Sequence, residues 1–436
     1  MKRLELDSLQ QSLESTPLQH VTGRVVRAVG PVLEAELPPI PLGALVEVEG
    51  GCDCEVVGFR DQHTLLVPLN STAGVAHGAR VVPKARCWTA PTGDQLLGRV
   101  LDGLGRPIDD GPPLTSAGER PIQAPPIRPM SRTKMSEPLA TGIKVIDGML
   151  PLAVGQRIAV TAGSGVGKST LLGMFARFVE VDVVVVNLVG ERGREVREFV
   201  ENEIDEATRQ RAVVIASTSD RSPIEQIKST YVATTIAESF RDEGKRVLLL
   251  VDSLTRLALA QRQIGLAAGE PPTTRGYTPS VFSILPPLLE RAGPGQDQGS
   301  ITAVYSVLVE ADDENDPIAD TVRGIVDGHV VLSRELASHG HYPAVDVLSS
   351  LSRIGDRVSS PEHRTATVRF RHLLATWKEN EELVRLGAYR KGTSPIVDEA
   401  IHLQPAMSRW LKQEPHTCVS REESVRTLSA AVSAKD

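Results

Sequence analysis

The sequence has little of what would make a disulfide-rich, membrane-spanning or nucleic-acid-binding protein. Its 436 residues include four cysteines, too few for a disulfide framework in a chain of this length. It has no apolar run of about 18 residues, the length of a membrane-spanning helix. Aromatic residues make up 3% and the formal net charge is −7, which argues against a basic, base-stacking surface for nucleic acid. We therefore expect a soluble globular protein, and the length predicts about three domains.

The cysteines raise one alternative, a metal site. Cys52 and Cys54 have the spacing of a metal half-site. No second Cys or His pair with zinc spacing follows them, so a β-turn with two incidental cysteines is the simpler interpretation.

The amino-terminal residues also lack the apolar core of a signal peptide. Residues 1–18 begin MKRLELDSLQQSLE and are mostly polar, so we expect a cytoplasmic protein. Leu6, Leu9 and Leu13 fall at helical spacing. The segment is therefore either a tail or a short helix that docks on a partner or a lipid surface.

Residues 19–90 predict a small β-barrel domain. Short valine-rich runs recur at close spacing, namely TGRVVRAV, VLEAEL, ALVEVE, CEVVGF, TLLVPL and ARVVP. Turn signals such as Gly30-Pro31 and Gly50-Gly51 separate them. Several short strands at regular spacing are typical of a barrel.

Residues 91–361 predict an α/β domain. A loop-like stretch rich in proline and glycine comes first, and continuous apolar runs then alternate with helical segments. The runs lie at 157–162, 181–189, 212–218, 246–253 and 300–310. A parallel sheet covered by helices requires strands that are apolar on both faces, so these runs predict at least five central strands.

Residues 362–436 predict a helical domain. HRTATVRFRHLLATWKENEELVRLGAY is long and periodic. Ser394-Pro395 predicts the start of the next helix, and Ser420 with Glu423 predicts a capping box ahead of the last one.

The stretch AGSGVGKST at 162–170 has the form of a phosphate-binding loop. It follows an apolar strand and opens a helix, the context that makes the G-x-x-x-x-G-K-[ST] pattern specific, although Ala162 occupies the first glycine position. Glycines let backbone N–H groups turn toward phosphates, Lys168 brings a positive charge to the β- and γ-phosphates, and Ser169 offers a hydroxyl to Mg²⁺. The predicted ATP-binding residues are Gly163, Ser164, Gly165, Val166, Gly167, Lys168, Ser169 and Thr170.

Two carboxylates are predicted at the same edge of the sheet as this loop. The apolar run RVLLLVDS delivers Asp252 at the carboxyl end of its strand, where ligands bind in open α/β sheets. Asp252 can hold Mg²⁺ directly or through water. Glu191 ends the run VDVVVVNLVGE, and hydrolysis needs a carboxylate to orient the attacking water.

Longer motifs carry a family resemblance. They are GERGREVREF, VDSLTRLALAQRQIGLAAGEPP, GYTPSVFSILPPLLERAG, DDENDPIADTVRGIVDGHVVLSRELA and YPAVDVLSSLSRI. Together they resemble the ATPases of type III protein secretion, which include flagellar export and injectisome ATPases and are similar to rotary ATP synthase catalytic subunits. The resemblance covers nearly the whole chain. It implies a multidomain α/β protein with a small N-terminal β-barrel, a central RecA-like P-loop ATPase domain with a parallel sheet, and a C-terminal helical domain. Ala162 suits this family.

The resemblance also implies roles for four residues. Glu191 matches the glutamate that activates water, and Arg192 follows it as a residue that couples the site to its neighbour. Tyr342 matches an aromatic ring that packs on adenine, and Arg353 matches an arginine finger supplied by the adjacent subunit. On the residues alone, Tyr342 would be a core tyrosine and Arg353 a surface arginine.

A finger given to a neighbour implies head-to-tail contacts, which close into rings, and the family forms homohexamers. The implied partners are a stator protein, a central stalk protein, chaperone–cargo complexes and the membrane export gate, with the ring held peripherally at the inner membrane. The motif GYTPSVFSILPP is expected to face the central pore or to be a plain loop between strands. GLAAGEPPTTRGYTPSVF favours the injectisome branch over the flagellar one.

Three other functions share some of these features. A subunit of an ion-translocating rotary ATPase shares the domain order, but the short C-terminal domain has no acidic lever. A hexameric RNA translocase would need an aromatic platform, whereas residues 19–90 hold one phenylalanine, Phe59, and one tryptophan, Trp88. A nucleotide-binding scaffold without catalysis would not need Lys168, Glu191 and Asp252 together.

Overall fold

The computed structural model describes residues 22–69, 72–85, 87–114, 118–296, 299–309 and 315–433. The amino-terminal tail or helix predicted for residues 1–18 lies outside these residues. Two compact units are present. One runs from residue 22 to Trp88 and includes Leu266–Glu270, and the other comprises Thr89–Gly265 and the chain from Pro271 onward.

The first unit is a closed antiparallel barrel, as the sequence predicts. Its strands are β1 (Gly23–Val29), β2 (Val32–Glu36), β3 (Leu45–Val48), β4 (Cys52–Arg60), β5 (His63–Pro68) and β6 (Arg80–Ala85). They close in the order β1-β2-β5-β4-β3-β6. Inward-facing side chains such as Leu33, Val46, Val48 and Leu66 are fully buried and fill the barrel.

The two neighbouring cysteines belong to this barrel core, and the β-turn interpretation is wrong. Cys52 and Cys54 lie at the start of β4. Residues two apart on a strand point to the same face, so both side chains are buried, with their Sγ atoms 3.8 Å apart as free thiols. Burial raises the pKa of the Cys54 thiol far above its ordinary value, which keeps that thiol in its neutral, unreactive form.

The second unit is built on a mostly parallel sheet. Its strands are β7 (Thr89–Thr92), β8 (Val100–Asp102), β9 (Gly118–Pro121), β10 (Pro138–Leu139), β11 (Leu152–Ala153), β12 (Arg157–Ala162), β13 (Val183–Glu191), β14 (Ala212–Thr218), β15 (Arg246–Asp252), β16 (Gly293–Pro294), β17 (Ser300–Leu308), β18 (Gly328–Leu332) and β19 (Val345–Ser352). Within the described residues the main sheet has nine strands, in the order β19-β18-β12-β17-β15-β13-β14-β8, with β16 beside β17. Strands β18 to β8 in that order are mutually parallel, whereas β19 runs antiparallel to β18.

Helices cover both faces of this sheet. They are α1 (Lys144–Met149), α2 (Lys168–Phe178), α3 (Gly193–Glu198), α4 (Glu206–Arg209), α5 (Pro223–Asp242), α6 (Leu254–Ala268), α7 (Pro279–Leu289), α8 (Pro317–Ile325), α9 (Arg334–Ser338), α10 (Pro361–Arg385), α11 (Pro395–Leu411) and α12 (Arg421–Ala431). The five apolar runs of the sequence are β12, β13, β14, β15 and β17. In β12 all six residues are buried, as a strand between two helical layers requires.

Two stretches differ from their interpretation as loops. Val100–Asp102, inside the loop-like region, pairs with β14 and forms an edge of the main sheet. The motif GYTPSVFSILPP is not a plain loop, because most of it forms α7. Pro279 occupies the first turn of that helix, where its missing N–H has no helical partner to lose.

The carboxyl-terminal helices share a core with the sheet. Phe370, Leu403 and Trp410 belong to the same buried cluster as Ile146 and Leu171. The predicted helix starts are confirmed: α11 begins at Pro395 after Ser394, and the Ser420 side chain accepts a hydrogen bond from the Glu423 N–H at the start of α12. In the part of the chain that the structure describes, no helix has the length and hydropathy needed to cross a membrane.

Candidate nucleotide site

The glycine-rich loop connects β12 to α2 at the carboxyl edge of the main sheet. Gly165 and Gly167 have φ angles of 78° and 90°, a backbone conformation that favours glycine. Ala162 is the last residue of β12 and pairs with both neighbouring strands, so a side chain there fits a regular strand conformation. The missing first glycine therefore leaves the loop geometry intact.

The start of α2 turns this loop into an anion site. The first N–H groups of a helix have no partner within the helix, and its dipole favours negative charge at that end. Lys168, Ser169 and Thr170 form the first turn of α2, directly after Gly167. The loop residues and this turn thus supply backbone donors and a lysine to one phosphate position.

Three charged side chains meet beside the loop. Lys168 Nζ contacts Asp252 Oδ1 and lies 3.9 Å from Glu191 Oε1. Asp252 ends β15, and its Oδ1 also accepts a hydrogen bond of 2.6 Å from the Ser306 hydroxyl. Glu191 ends the neighbouring strand β13. The predicted edge of the sheet therefore brings the lysine and both carboxylates together.

The environment of Glu191 alters its acidity. Burial, and then the negative charge of Asp252, raise the pKa of Glu191 to about 7, against the opposing effect of Lys168. A carboxyl group with a pKa near neutrality can accept and release a proton at physiological pH. This property is found at catalytic sites more often than elsewhere, so it favours a chemical role for Glu191.

A cleft of about 220 Å³ adjoins these groups and could hold a metal ion. Ser169, Glu191 and Asp252 line it. A hydroxyl and carboxylates are the oxygen ligands that Mg²⁺ prefers. The donor set at this edge therefore fits a magnesium ion.

Sequence reasoning missed Arg256, which lies in the first turn of α6 after Asp252. Its positive charge lowers the pKa of Glu191, and its Nε atom is buried and has no hydrogen-bond partner among the described residues. Gly190 permits this approach, because a Cβ there would meet Arg256 Cβ at 3.1 Å. The sequence feature that could have identified Arg256 is the motif VDSLTRLALA, where this arginine follows the strand-end Asp252 by one helical turn.

Tyr342 lies against the phosphate-binding loop. Its ring atoms Cε1 and Cδ1 would be 3.4 and 3.5 Å from a Cβ placed on Gly167, and 42% of the residue is exposed. Its carbonyl accepts a hydrogen bond from the Gln413 N–H, which ties it to the end of α11. The free ring face beside the loop is a suitable place for a flat heterocycle to stack.

Two predicted residues stay apart from this cluster. Arg192 precedes α3, is exposed, and pairs with Glu195 at 3.4 Å. Arg353 follows β19 and lies at the opposite edge of the main sheet, because Val345 pairs with Leu332 whereas Ser352 pairs with Gly328.

A glycine loop between a strand and a helix, with a lysine and two strand-end carboxylates, defines a P-loop nucleoside triphosphatase. Residues 142–352 match the ATP synthase alpha/beta family, nucleotide-binding domain, and residues 359–430 match the T3SS EscN ATPase C-terminal domain.

Individual relatives match nearly the whole length of the chain. It is 47% identical to the type 3 secretion system ATPase of Xanthomonas euvesicatoria, with 97% of each chain covered. It is 45% identical to the flagellum-specific ATP synthase of Bacillus subtilis, with 98% of this chain and 99% of the relative covered. The solved structure of the assembled ATPase EscN from the enteropathogenic E. coli type III secretion system matches with a TM-score of 0.91 and 42% identity, over 94% of this chain and 100% of that one. The chain therefore belongs to the family of type III secretion and flagellar export ATPases.

Proposed function

We propose that this chain hydrolyses ATP in a homohexameric ring, with Arg353 acting on the nucleotide of a neighbouring copy, and that the ring releases chaperones and unfolds and delivers proteins for export. The observation that carries the ring is the separation of Arg353 from its own phosphate loop. The Arg353 N–H bonds to the Asp327 carbonyl, and the Asp327 N–H bonds to the Arg157 carbonyl at the start of β12. From Arg157 to Ala162, where the loop begins, five steps of about 3.3 Å span about 17 Å. A side chain does not cross that distance within one subunit. A neighbour's site can receive it when subunits meet head to tail.

The residues near the loop have separate proposed roles in nucleotide binding and in hydrolysis. The loop residues and Lys168 bind the phosphates, and the ring of Tyr342 stacks on adenine. Glu191 orients the attacking water and takes its proton, with Arg256 close to the γ-phosphate. Arg192, exposed beside Glu191, couples the site to the adjacent subunit.

Ser169 and Asp252 are proposed to hold Mg²⁺. When bound, the ion neutralises charge that develops on the transferring phosphoryl group. The chain's own residues prepare for this, since the Ser306 hydroxyl fixes Asp252 and Lys168 balances its charge.

An export assay tests the function directly. A strain lacking the gene is complemented with the wild type or with Glu191→Gln, and secreted proteins in the medium are measured. The wild type should restore secretion and Glu191→Gln should not, at equal protein level. Secretion by a Glu191→Gln strain would contradict the coupling of hydrolysis to export.

We further propose that the export apparatus served by this chain is an injectisome rather than a flagellum. The motif GLAAGEPPTTRGYTPSVF favours it, and a related structure is the assembled EscN in complex with its central stalk EscO, which matches with a TM-score of 0.87. For this chain we propose a stator, a central stalk, chaperone–cargo complexes and an export gate as partners, at the inner membrane. Affinity capture from its own cells tests this. Recovery of injectisome components supports it, and recovery of flagellar components alone overturns this branch while leaving the export function in place.

A further inference from the structure

A buried glutamine lies beneath Arg353, at the amino edge of the main sheet. Gln156 directly precedes β12 and has no solvent exposure. Its Oε1 accepts a hydrogen bond from the Ala153 N–H at 2.9 Å. Its Nε2 donates to the Asp327 carbonyl and to the Ser352 hydroxyl, each at 3.2 Å. Both amide protons are therefore used.

The two acceptors flank Arg353. The Asp327 carbonyl also accepts the Arg353 N–H at 3.0 Å. Ser352 is the preceding residue, and its hydroxyl donates to the Pro151 carbonyl at 2.8 Å. The Gln156 side chain thus links the Ser352 hydroxyl to the Asp327 carbonyl, and that carbonyl also accepts the Arg353 N–H.

The result is a fixed backbone that carries an exposed guanidinium. Arg353 itself is exposed, and its Nη2 donates to the Arg323 carbonyl at 3.1 Å. A long side chain places its charge reproducibly only when its backbone is held. Burying an amide costs free energy unless its hydrogen bonds are made, and here they are made to the two groups that hold Arg353.

We propose that Gln156 is a positioning residue that fixes Arg353 for the nucleotide site of the neighbouring subunit. This inference rests on the proposed action of Arg353 in trans. Gln156 touches neither nucleotide nor reacting atoms within its own subunit, since it lies at the opposite end of β12 from the phosphate loop.

The position of Gln156 allows a competing interpretation that can be tested. Strand β12 continues from Gln156 to Ala162 and the loop, so a substitution could instead disturb the subunit's own site. A defect in the finger damages the neighbour's site, whereas a defect in the loop damages the subunit's own. Rings of mixed subunits separate these two cases.

The experiment uses Gln156→Leu, which removes both donors and keeps a similar volume. We expect kcat to fall about 10- to 100-fold with the KM for ATP within about twofold, because the finger is misplaced and ATP binding is not. In mixed rings Gln156→Leu should regain activity with Lys168→Ala, which supplies intact fingers. It should regain none with Arg353→Ala, which also lacks a working finger. The reverse pattern, or a kcat within twofold of wild type, overturns the proposal.

A second variant keeps the proposal falsifiable if Gln156→Leu does not fold. Ser352→Ala removes one acceptor and should lower kcat about three- to tenfold with the same mixing pattern. The matched control is Ser350→Ala on the same face of β19, whose hydroxyl bonds to the Asp346 carbonyl and the Val331 N–H instead. Equal kcat values for the two variants overturn the proposal.

The trans role of Arg353 has its own readout. If Arg353→Ala retains a near-normal kcat, or does not complement Lys168→Ala, the proposed action in trans fails whatever Gln156 does. If Arg353→Ala behaves as proposed and Gln156→Leu does not, the positioning role alone fails.

Discussion

The two edges of the main sheet are built in opposite ways. At the carboxyl edge, Lys168 faces two carboxylates, the start of α2 presents free N–H groups, and Arg256 Nε is buried without a hydrogen-bond partner among the described residues. At the amino edge, the side chains of Gln156 and Ser352 are hydrogen-bonded within the chain. The first edge holds a buried nitrogen that a ligand could satisfy, whereas at the second the side chains around the Arg353 backbone already bond to one another.

This difference indicates what each edge does. Groups left without partners in a folded protein cost stability, and they are kept where a ligand or a reaction uses them. Groups that are fully bonded hold a geometry. We infer that the carboxyl edge binds nucleotide and that the amino edge presents one arginine to a neighbour. The predictions below test that division.

The largest effect is expected at the amino edge. Arg353→Ala should lower kcat about 10³- to 10⁵-fold, because an arginine finger stabilises charge in the transition state. Steady-state ATP hydrolysis by the assembled protein measures it. Mixing with Lys168→Ala should restore part of the activity. Arg357→Ala, an exposed arginine near the same edge, is the matched control and should stay within about twofold. An equal loss in the control would mean that the edge needs positive charge in general.

Glu191→Gln should lower kcat about 10²- to 10⁴-fold, because the amide cannot accept the proton of the attacking water. ATP binding should persist, since Lys168 and the loop are unchanged. Hydrolysis and nucleotide binding are measured on the same oligomeric preparation. Glu201→Gln, an exposed carboxylate paired with Arg197, serves as the control. Near-normal turnover by Glu191→Gln would contradict the catalytic role that we assign to Glu191 at the carboxyl edge.

Tyr342→Ala should raise the KM for ATP about tenfold, because stacking on a base contributes about 1–3 kcal/mol. The kcat should change little, since the ring lies against Gly167 of the loop and its proposed contact is with the base rather than with the reacting phosphate. Tyr342→Phe keeps the ring and should behave as the wild type. Initial rates over a range of ATP concentrations separate the two parameters, and a fall in kcat at unchanged KM would contradict the stacking role.

Much of this arrangement is visible in the sequence, because its signals are local. Apolar runs specify the parallel strands, and the strand–loop–helix context specifies the phosphate loop. Glu191 and Asp252 could be placed at one edge because parallel strands end together. Local signals also predicted the barrel, from short valine-rich runs separated by turn residues at regular spacing.

The remainder depends on contacts between distant segments. Arg353 could be placed at the far edge only from the antiparallel register of β19, and Gln156 bonds to the neighbouring Ser352 across 196 residues of sequence. A plain loop was one of two alternatives for GYTPSVFSILPP, but Pro279 begins α7. Cys52 and Cys54 have a spacing that fits both a turn and an inward strand face, and the barrel decides between them.

The smallest effect is expected at a helix cap away from both edges. The Ser420 hydroxyl accepts a hydrogen bond from the Glu423 N–H at the start of α12, and α12 packs into the shared core through Leu428. Ser420→Ala should lower the free energy of unfolding by about 1 kcal/mol, because it leaves a helix-end donor without that partner. Its kcat and KM should equal those of the wild type once the concentration of folded protein is matched. Denaturant unfolding gives the stability change, and ATP hydrolysis at a temperature well below the transition gives the rates. A loss of kcat in Ser420→Ala would mean that the helical region also acts on catalysis, and the division of labour between the two sheet edges would then be incomplete.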